Sequence, residues 1–252
     1  MAATPDDWVV DFPTLGFLVA DWIEAHCIIP DGFRKGEPFR PYTWQLWATV
    51  NHYRVKPTAT VGQLAPAFYN RRSQIVAPQK TGKGPWSATI VAAEGLGPVV
   101  FAGWASGGEV FDCRAYGCGC GFVYVYEPGE PMGRPWPTPL AQLLATSEDQ
   151  VANVYRPLQS MAKNGPLAER MRVGEEFIRL PNDGRIDVVT SSARARLGNP
   201  ITFALQDETG LYTRSNKLVG IAQTMRRGAA GMGGRSIETS NAWDPSEDST
   251  AQ

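Results

Sequence analysis

One stretch constrains this chain more than any other: a strand signal that runs into a Gly- and Lys-bearing loop and then a helix. Ser73-Gln74-Ile75-Val76-Ala77 reads as a short buried strand, Pro78 to Gly84 as a loop with two Lys and two Gly, and Ala88 to Glu94 as a helix. Strand, loop, helix is the repeating unit of a parallel sheet, because parallel neighbours need a crossover between them. The unit predicts an α/β chain with a mainly parallel central sheet flanked by helices. Further strand signals fit that class: Pro98 to Ala102, Gln142 to Thr146, Ile201 to Leu205 and Ser236 to Ser240. Phe177 to Leu180 and Ile186 to Thr190, joined by Pro181-Asn182-Asp183-Gly184, read as a hairpin. Helical stretches are expected from Trp44 to about Tyr53, from Glu148 onward with Ser147 as its cap, and from Leu218 to Arg226.

The organisation follows from composition shifts. Residues 1–38 read as a helical lead-in whose apolar face is Leu15, Phe17, Leu18, Val19, Trp22 and Ile23. Residues 39–252 form the main domain. Within it, residues 103–139 carry six Gly between Gly103 and Gly121, three Cys, and a Pro-rich run from Pro128 to Pro139, which marks an insertion on the sheet.

The 77–84 loop carries the first chemical signal. The usual phosphate loop is G-x-x-x-x-G-K-[ST], and Gly82-Lys83 stand where its Gly-Lys pair stands. Backbone N–H groups from Gln79 to Gly84 and the N-terminus of the following helix would cradle phosphates, and Lys83 would reach the β and γ oxygens. Two positions depart from the pattern: Ala77 replaces the first Gly, and Gly84 replaces the hydroxyl residue that normally holds Mg²⁺. The second signal is Ile201-Thr202-Phe203-Ala204-Leu205-Gln206-Asp207-Glu208, an apolar strand ending in two carboxylates. Parallel-sheet nucleotide enzymes place such an Asp near Mg²⁺, and an adjacent Glu can orient and deprotonate a water. Ligands bind at this carboxyl edge of α/β sheets.

Taken together, APQKTGKG (77–84), ITFALQDE (201–208), ETSNAWDP (238–245) and FRPYTWQLW (39–47) resemble the ATPase domain of the large terminase subunit of tailed double-stranded DNA bacteriophages. The resemblance runs over about residues 39–245. It implies a P-loop fold of the additional-strand, catalytic-glutamate type, and an ATP-driven motor that packages viral DNA into a preformed capsid. It implies ATP and Mg²⁺ as cofactors. Double-stranded DNA, the portal protein and the small terminase subunit are the implied partners of a homo-oligomeric ring, located in the host cytoplasm and docked on the procapsid portal. By the same resemblance Lys83 binds phosphate, Asp207 binds Mg²⁺ and Glu208 is the catalytic carboxylate. Gln79, Lys80, Thr81, Gly82 and Gly84 complete the nucleotide loop, and Gln45 reads adenine. Thr239, Ser240 and Asn241 match the motif that couples to the γ-phosphate. An arginine finger supplied by a ring neighbour falls on Arg194 or Arg196, with Arg196 preferred as nearer the acidic strand. The family's usual Arg in the first half of the loop is missing. Gln79 holds that place, with Lys80 beside it to supply charge. The chain stops about seven residues after the polar motif, so no C-terminal nuclease, and no DNA cleavage, is expected.

Other residues admit several readings. Cys113, Cys118 and Cys120 lie close together in a Gly-rich loop; a tetrahedral zinc site would need a fourth ligand, for which Cys27, His26 and His52 are the distant donors. Reduced thiols in an irregular hairpin are the other reading. Trp44 and Trp47, or more weakly Phe39 and Tyr42, could stack on a base beside Gln45. Arg71, Arg72, Arg226 and Arg227 are candidates for DNA phosphates. A helicase-like DNA-remodelling ATPase and a non-catalytic nucleotide-binding assembly module are the rival functions.

Composition excludes some classes. Lys+Arg number 24 against 25 Asp+Glu, a formal net charge of −1, which rules out a basic nucleic-acid coat though not a local basic patch. With 43% hydrophobic and 19% charged residues the chain can build a core. No run of 18 apolar residues is present, so no membrane span is expected. The start MAATPDDW lacks the pattern of a secretory signal, and four Cys do not make a disulfide framework, so a reducing cytoplasm is expected.

Overall fold

The computed structural model describes residues 8–145, 148–175, 177–189 and 199–251. Its centre is a seven-stranded sheet. In chain order the strands are β1 (Arg72–Val76), β6 (Leu140–Leu144), β7 (Arg172–Val173), β8 (Phe177–Arg179), β9 (Arg185–Val189), β10 (Phe203–Asp207) and β11 (Arg235–Ser240). In space they lie in the order β1-β11-β10-β6-β9-β8-β7. The first five in that row are mutually parallel, and β8 and β7 continue it antiparallel. The mainly parallel α/β class is therefore the observed one. The β8–β9 hairpin predicted from PNDG is present.

β11 lies between β1, which feeds the Gly/Lys loop, and β10, which ends in the acidic pair. That is the additional-strand arrangement expected from the sequence. Its consequence is chemical: the strand carrying Thr239 and Ser240 ends between the loop and the carboxylates.

Side-chain alternation along β10 sorts the two faces. Phe203 and Leu205 join the core that contains helices α1 (Gly16–His26), α3 (Lys83–Leu96) and α4 (Glu148–Asn164). Ala204 joins the core of α5 (Leu218–Gly231), where the Gln206 amide donates to the Ala222 carbonyl at 2.9 Å. Asp207, being odd-numbered, points with Phe203 and Leu205 toward the α3 side. A buried ion pair ties β11 to α3: Arg235 donates to Glu94 at 3.2 Å, Tyr53 donates to the same carboxylate oxygen at 2.8 Å, and the guanidinium lies over the Tyr53 and Phe68 rings. Burial pushes the Glu94 carboxyl up and the Arg235 charge opposes it.

Several expectations need correction. The strand before the loop is not buried. β1 is the edge of the sheet, its residues alternate between exposed and half-buried, and Val76 is 48% exposed. The strand signal at Pro98 to Ala102 forms β2 (Val100–Trp104), but it leaves the central sheet and pairs antiparallel with β5 (Pro131–Arg134). The expected insertion thus begins earlier, and it also holds the short ribbon of β3 (Val110–Asp112) and β4 (Val123–Val125). Among the described residues of the lead-in, α-helix is confined to α1, whose Leu18, Trp22 and Ile23, with Leu15 at its N-cap, sit in the same core as α3. Helix α2 (Thr43–His52) matches its prediction. Ser147, proposed as a cap, lies outside the described residues. Among the described residues no helix is long and apolar enough to cross a membrane.

Candidate functional site

The 77–84 loop leaves β1 beside the end of β11, with the Ala77 N–H donating to the Ser240 carbonyl at 3.1 Å. It then folds tightly. Lys80 and Gly82 have positive φ, 62° and 88°, and the Thr81 hydroxyl donates to the Pro78 carbonyl at 2.8 Å. α3 starts at Lys83, so its free N–H groups face the loop. The Lys83 ammonium is buried and donates to the carbonyls of Ala77 (2.5 Å) and Pro78 (3.2 Å) and to Asn241 Oδ1 (2.5 Å). Gln79 and Lys80 are exposed at the rim.

Opposite the loop stands the acidic pair. Thr239 and Asp207 are register partners on neighbouring strands, and the Thr239 hydroxyl donates to the Asp207 carboxylate at 2.5 Å. Burial, helped by the Glu208 charge, raises the Asp207 pKa to about 6, while the Thr239 hydrogen bond and Lys83 pull the other way. Glu208 leaves the strand with φ 56°, a left-handed conformation that turns its side chain out of the strand's alternation. There it accepts from the Asn241 side-chain amide at 3.0 and 2.9 Å and from the Asn241 N–H at 3.3 Å. Asn241 thus bridges Lys83 and Glu208 with the two ends of one amide. Ser240 takes a different part: its hydroxyl accepts from the Gly210 N–H at 2.9 Å and pins the turn after Glu208.

These groups share one cleft of about 600 Å³, lined by Gln79, Lys80, Lys83, Asp207, Glu208 and Asn241 among others. That volume suits a nucleotide-sized ligand. A second cavity of about 440 Å³ adjoins it through Glu208 and Asn241 and extends to Trp243. A comparably large cavity, about 580 Å³, lies elsewhere, between Phe12, Phe17 and Trp104, and has none of this chemistry except Glu130. The donor set fits a hard divalent cation: Asp207 offers a carboxylate oxygen, buried, beside a second carboxylate.

Gly84 has a steric reason. A Cβ there would fall inside contact distance of the Asn153 carbonyl oxygen of α4 and 3.3 Å from its carbonyl carbon. The hydroxyl residue of the usual motif has no room. Asn153 also lines the cleft, and sequence reading missed it, because nothing in the α4 pattern announces a contact with residue 84.

Gln45 is buried and both ends of its amide are engaged. Its oxygen accepts from the Tyr42 N–H at 2.8 Å, and its nitrogen donates to the Gly82 carbonyl at 3.2 Å. It braces the loop against the start of α2. Trp44 packs against Trp86, and Trp47 stacks on Trp8, so neither indole is free for a base in this arrangement. Phe39, Tyr42 and Gln45 instead line a cavity of about 140 Å³ on the Gly82 side of the loop.

The remaining candidates lie apart. Arg194 and Arg196 fall outside the described residues. Arg72 and Arg226 both pair with the buried Glu238, at 2.6 and 2.9 Å, and so hold β11 rather than standing free for DNA; Arg71 and Arg227 are exposed. The three insertion cysteines surround His26, and none of these four residues lines the cleft. Cys27 is buried without joining them, and His52 contacts Ser73 at 2.7 Å.

Comparison with known proteins agrees with this architecture. The crystal structure of the HK97 bacteriophage large terminase shares the fold with a TM-score of 0.61 and 17% identity, over 91% of this chain and 38% of that one. The chain therefore has the large-terminase fold, as the motifs suggested. The ATPase domain of the Thermus phage P74-26 large terminase is also similar, with a TM-score of 0.45 and 12% identity over 80% of this chain and 65% of that one. In sequence, the Gene 13 protein of Mycobacterium phage L5 is 26% identical over 217 residues, covering 81% of this chain, and that of Mycobacterium phage D29 is 30% identical over 129 residues, covering 51%. This chain spans 33% of the L5 protein and 18% of the D29 protein. No family model matches.

Proposed function

We propose that this chain hydrolyses ATP to drive double-stranded viral DNA into a capsid, as the ATPase of a large-terminase motor. The observation that carries the reading is the Lys83–Asn241–Glu208 bridge across one cleft, with Thr239 on Asp207 beside it. A loop lysine, two carboxylates and a polar strand end are the groups that phosphoanhydride hydrolysis requires, and the fold brings them together from three strands.

In this reading the loop N–H groups from Gln79 to Gly84 and the Lys83 ammonium take the β and γ phosphates. Lys83 then exchanges its present carbonyl partners for phosphate oxygens. Glu208 orients a water toward the γ-phosphorus and accepts its proton. Asn241, holding both Lys83 and Glu208, reports the state of one to the other, which is a route from phosphate occupancy to the carboxylate. Asp207 would hold Mg²⁺, whose charge offsets that developing on the phosphate oxygens. Gly84 offers no hydroxyl to share the task. Phe39, Tyr42 and Gln45 are the adenine-side candidates, and Gln45 would have to release Tyr42 or Gly82 to read the base.

Ring assembly, an Arg196 or Arg194 finger from a neighbour, and portal and small-terminase partners belong to the same proposal, as does location at the procapsid portal. The test is Mg²⁺-dependent phosphate release from ATP by the chain and its Glu208→Gln variant, over a wide protein concentration series. The expected result is turnover that rises more than linearly with protein and falls about 10²–10⁴-fold in the variant, with ATP binding kept. Equal turnover in the two would refute the Glu208 role. ATP binding without turnover at any concentration would favour a nucleotide-binding assembly module.

A further inference from the structure

We propose that His26, Cys113, Cys118 and Cys120 form a structural zinc site that fastens the insertion to the end of α1. Their four ligand atoms lie within 4.8 Å of one another. Measured from His26 Nε2, the three sulfurs stand at 3.4 Å (Cys113), 3.6 Å (Cys118) and 3.1 Å (Cys120). A tetrahedral ion with ordinary Zn–S and Zn–N bonds sets each nitrogen–sulfur edge at about 3.6 Å. The cluster has nearly that spacing. A cluster of several irons and sulfides would need its thiolates spread further apart, because its own atoms fill the space between them.

The surroundings match a metal ligand set rather than a chance gathering of thiols. The other ring nitrogen, Nδ1, lies 2.8 Å from the Trp22 carbonyl. That partner accepts a hydrogen bond only, so Nδ1 carries the proton and Nε2 presents its lone pair to the three sulfurs. A carbonyl behind a ligating imidazole is the usual outer partner in zinc sites. The ring is buried, stacked on Trp22 at 4.3 Å and met edge-on by Phe122 at 5.7 Å, so its orientation is set by packing. The Phe122 N–H donates to Cys120 Sγ at 3.4 Å, which holds that sulfur in place beside the ring. Gly117, at φ 76°, turns the chain back after the Cys113–Tyr116 turn so that Cys118 faces Cys113. All four positions are protein ligands, which closes the coordination and makes the site structural rather than catalytic.

The ribbon of β3 and β4 has only three residues per strand and cannot hold itself together. A zinc ion joining its loop to α1 would supply what pairing does not. The inference does not depend on the ATPase reading, since none of the four residues lines the cleft.

The test uses the full chain purified from zinc-supplemented cells without chelator, with metal measured by elemental analysis and Co²⁺ exchanged into the site for spectroscopy. About one zinc per chain is expected, and the cobalt form should show thiolate charge-transfer bands with tetrahedral d–d bands. Cys120→Ser changes an exposed residue and should fold. It should weaken zinc by more than the 10–100-fold that loss of an outer partner costs. His26→Gln should do the same, and His26→Cys, which restores four ligands, should recover the metal. Less than about one tenth of a zinc per chain, or one zinc retained equally by Cys120→Ser and His26→Gln, would overturn the proposal.

Discussion

Replacing Gly84 by Ala asks whether α4 closes on the first turn of α3 as the structure has it. The added Cβ would overlap the Asn153 carbonyl oxygen and come 3.3 Å from the carbonyl carbon. Both are backbone atoms, so no side chain can swing away. Restoring ordinary contact needs α4 to retreat by about 1 Å. Overpacking of this size costs about 1–3 kcal/mol, and Ala returns up to about 1 kcal/mol through helix propensity. With the full return subtracted the net loss is up to about 2 kcal/mol, which lowers the Tm of a chain this size by up to about 8 °C. Gly220 supplies the internal control. It sits in α5 with no heavy atom within 4 Å of an added Cβ. Gly220→Ala should therefore keep only the propensity gain, about 0.5–1 kcal/mol, and melt higher than the parent. Thermal and urea unfolding without nucleotide read both variants. If Gly84→Ala melts as high as Gly220→Ala, α4 does not lie on this turn, and the steric account of the missing hydroxyl is wrong. Gly84→Ser carries the same Cβ, so it should also melt low and should not speed phosphate release.

Three further outcomes are expected. Asn241→Ala removes the bridge between Lys83 and Glu208, and single-turnover hydrolysis should fall about 100-fold with ATP affinity changed much less, because the loss is one of positioning; equal losses in both would contradict the coupling role. Asp207 has a folded pKa raised to about 6 from 3.8, so its ionisation opposes folding, fully above about pH 6 and decreasingly as pH falls toward 3.8. Asp207→Asn should accordingly be more stable than the parent at pH 7.5, by up to about 3 kcal/mol, with the gap closing in acid; urea melts at pH 7.5 and 4.5 check the sign. Arg235→Met leaves Glu94 buried without its ion partner and should cost about 3–5 kcal/mol, with the Arg235→Met/Glu94→Gln double variant recovering much of it in a double-mutant cycle.

What could be read in the sequence has a physical reason. The loop, the acidic strand end and the polar end of β11 each announce themselves locally: an apolar run that stops at residues no core would tolerate marks a polar sheet edge. Their order along the chain then brings them together, since β11 must pair beside β10 and β1 to complete the additional-strand sheet. The residues that escaped share the opposite property. Their environment is set by a segment far away in sequence. β1 looked buried because Ile75 and Val76 are apolar, yet the pairing order leaves it at an edge. Arg72 and Arg226 looked like candidates for DNA phosphates, yet Glu238, 166 residues from the first, is wholly buried between them. Gly84 looked like a defect in the motif until α4 was seen to occupy the space.

The cysteine cluster shows the same division most sharply. Spacing alone brought Cys113, Cys118 and Cys120 together and left three donors open for the fourth place. Cys27 and His52 are as plausible as His26 on composition, and Cys27 is its neighbour in the chain. Helix geometry decides between them. His26 is the last residue of α1 and turns its ring back onto Trp22, four residues earlier, as helical side chains do. Cys27 is the residue that leaves the helix in extended backbone and buries its thiol in the core, where desolvation raises its pKa. One residue's difference at a helix end thus separates a ring aimed at three sulfurs from a thiol aimed at none. The same comparison gives a final expectation: Cys27→Ala should leave the zinc content untouched while lowering stability, whereas His26→Gln should lower zinc content. Metal loss in Cys27→Ala at a temperature where the chain remains folded would mean that the ligand set has been assigned to the wrong side of the helix end.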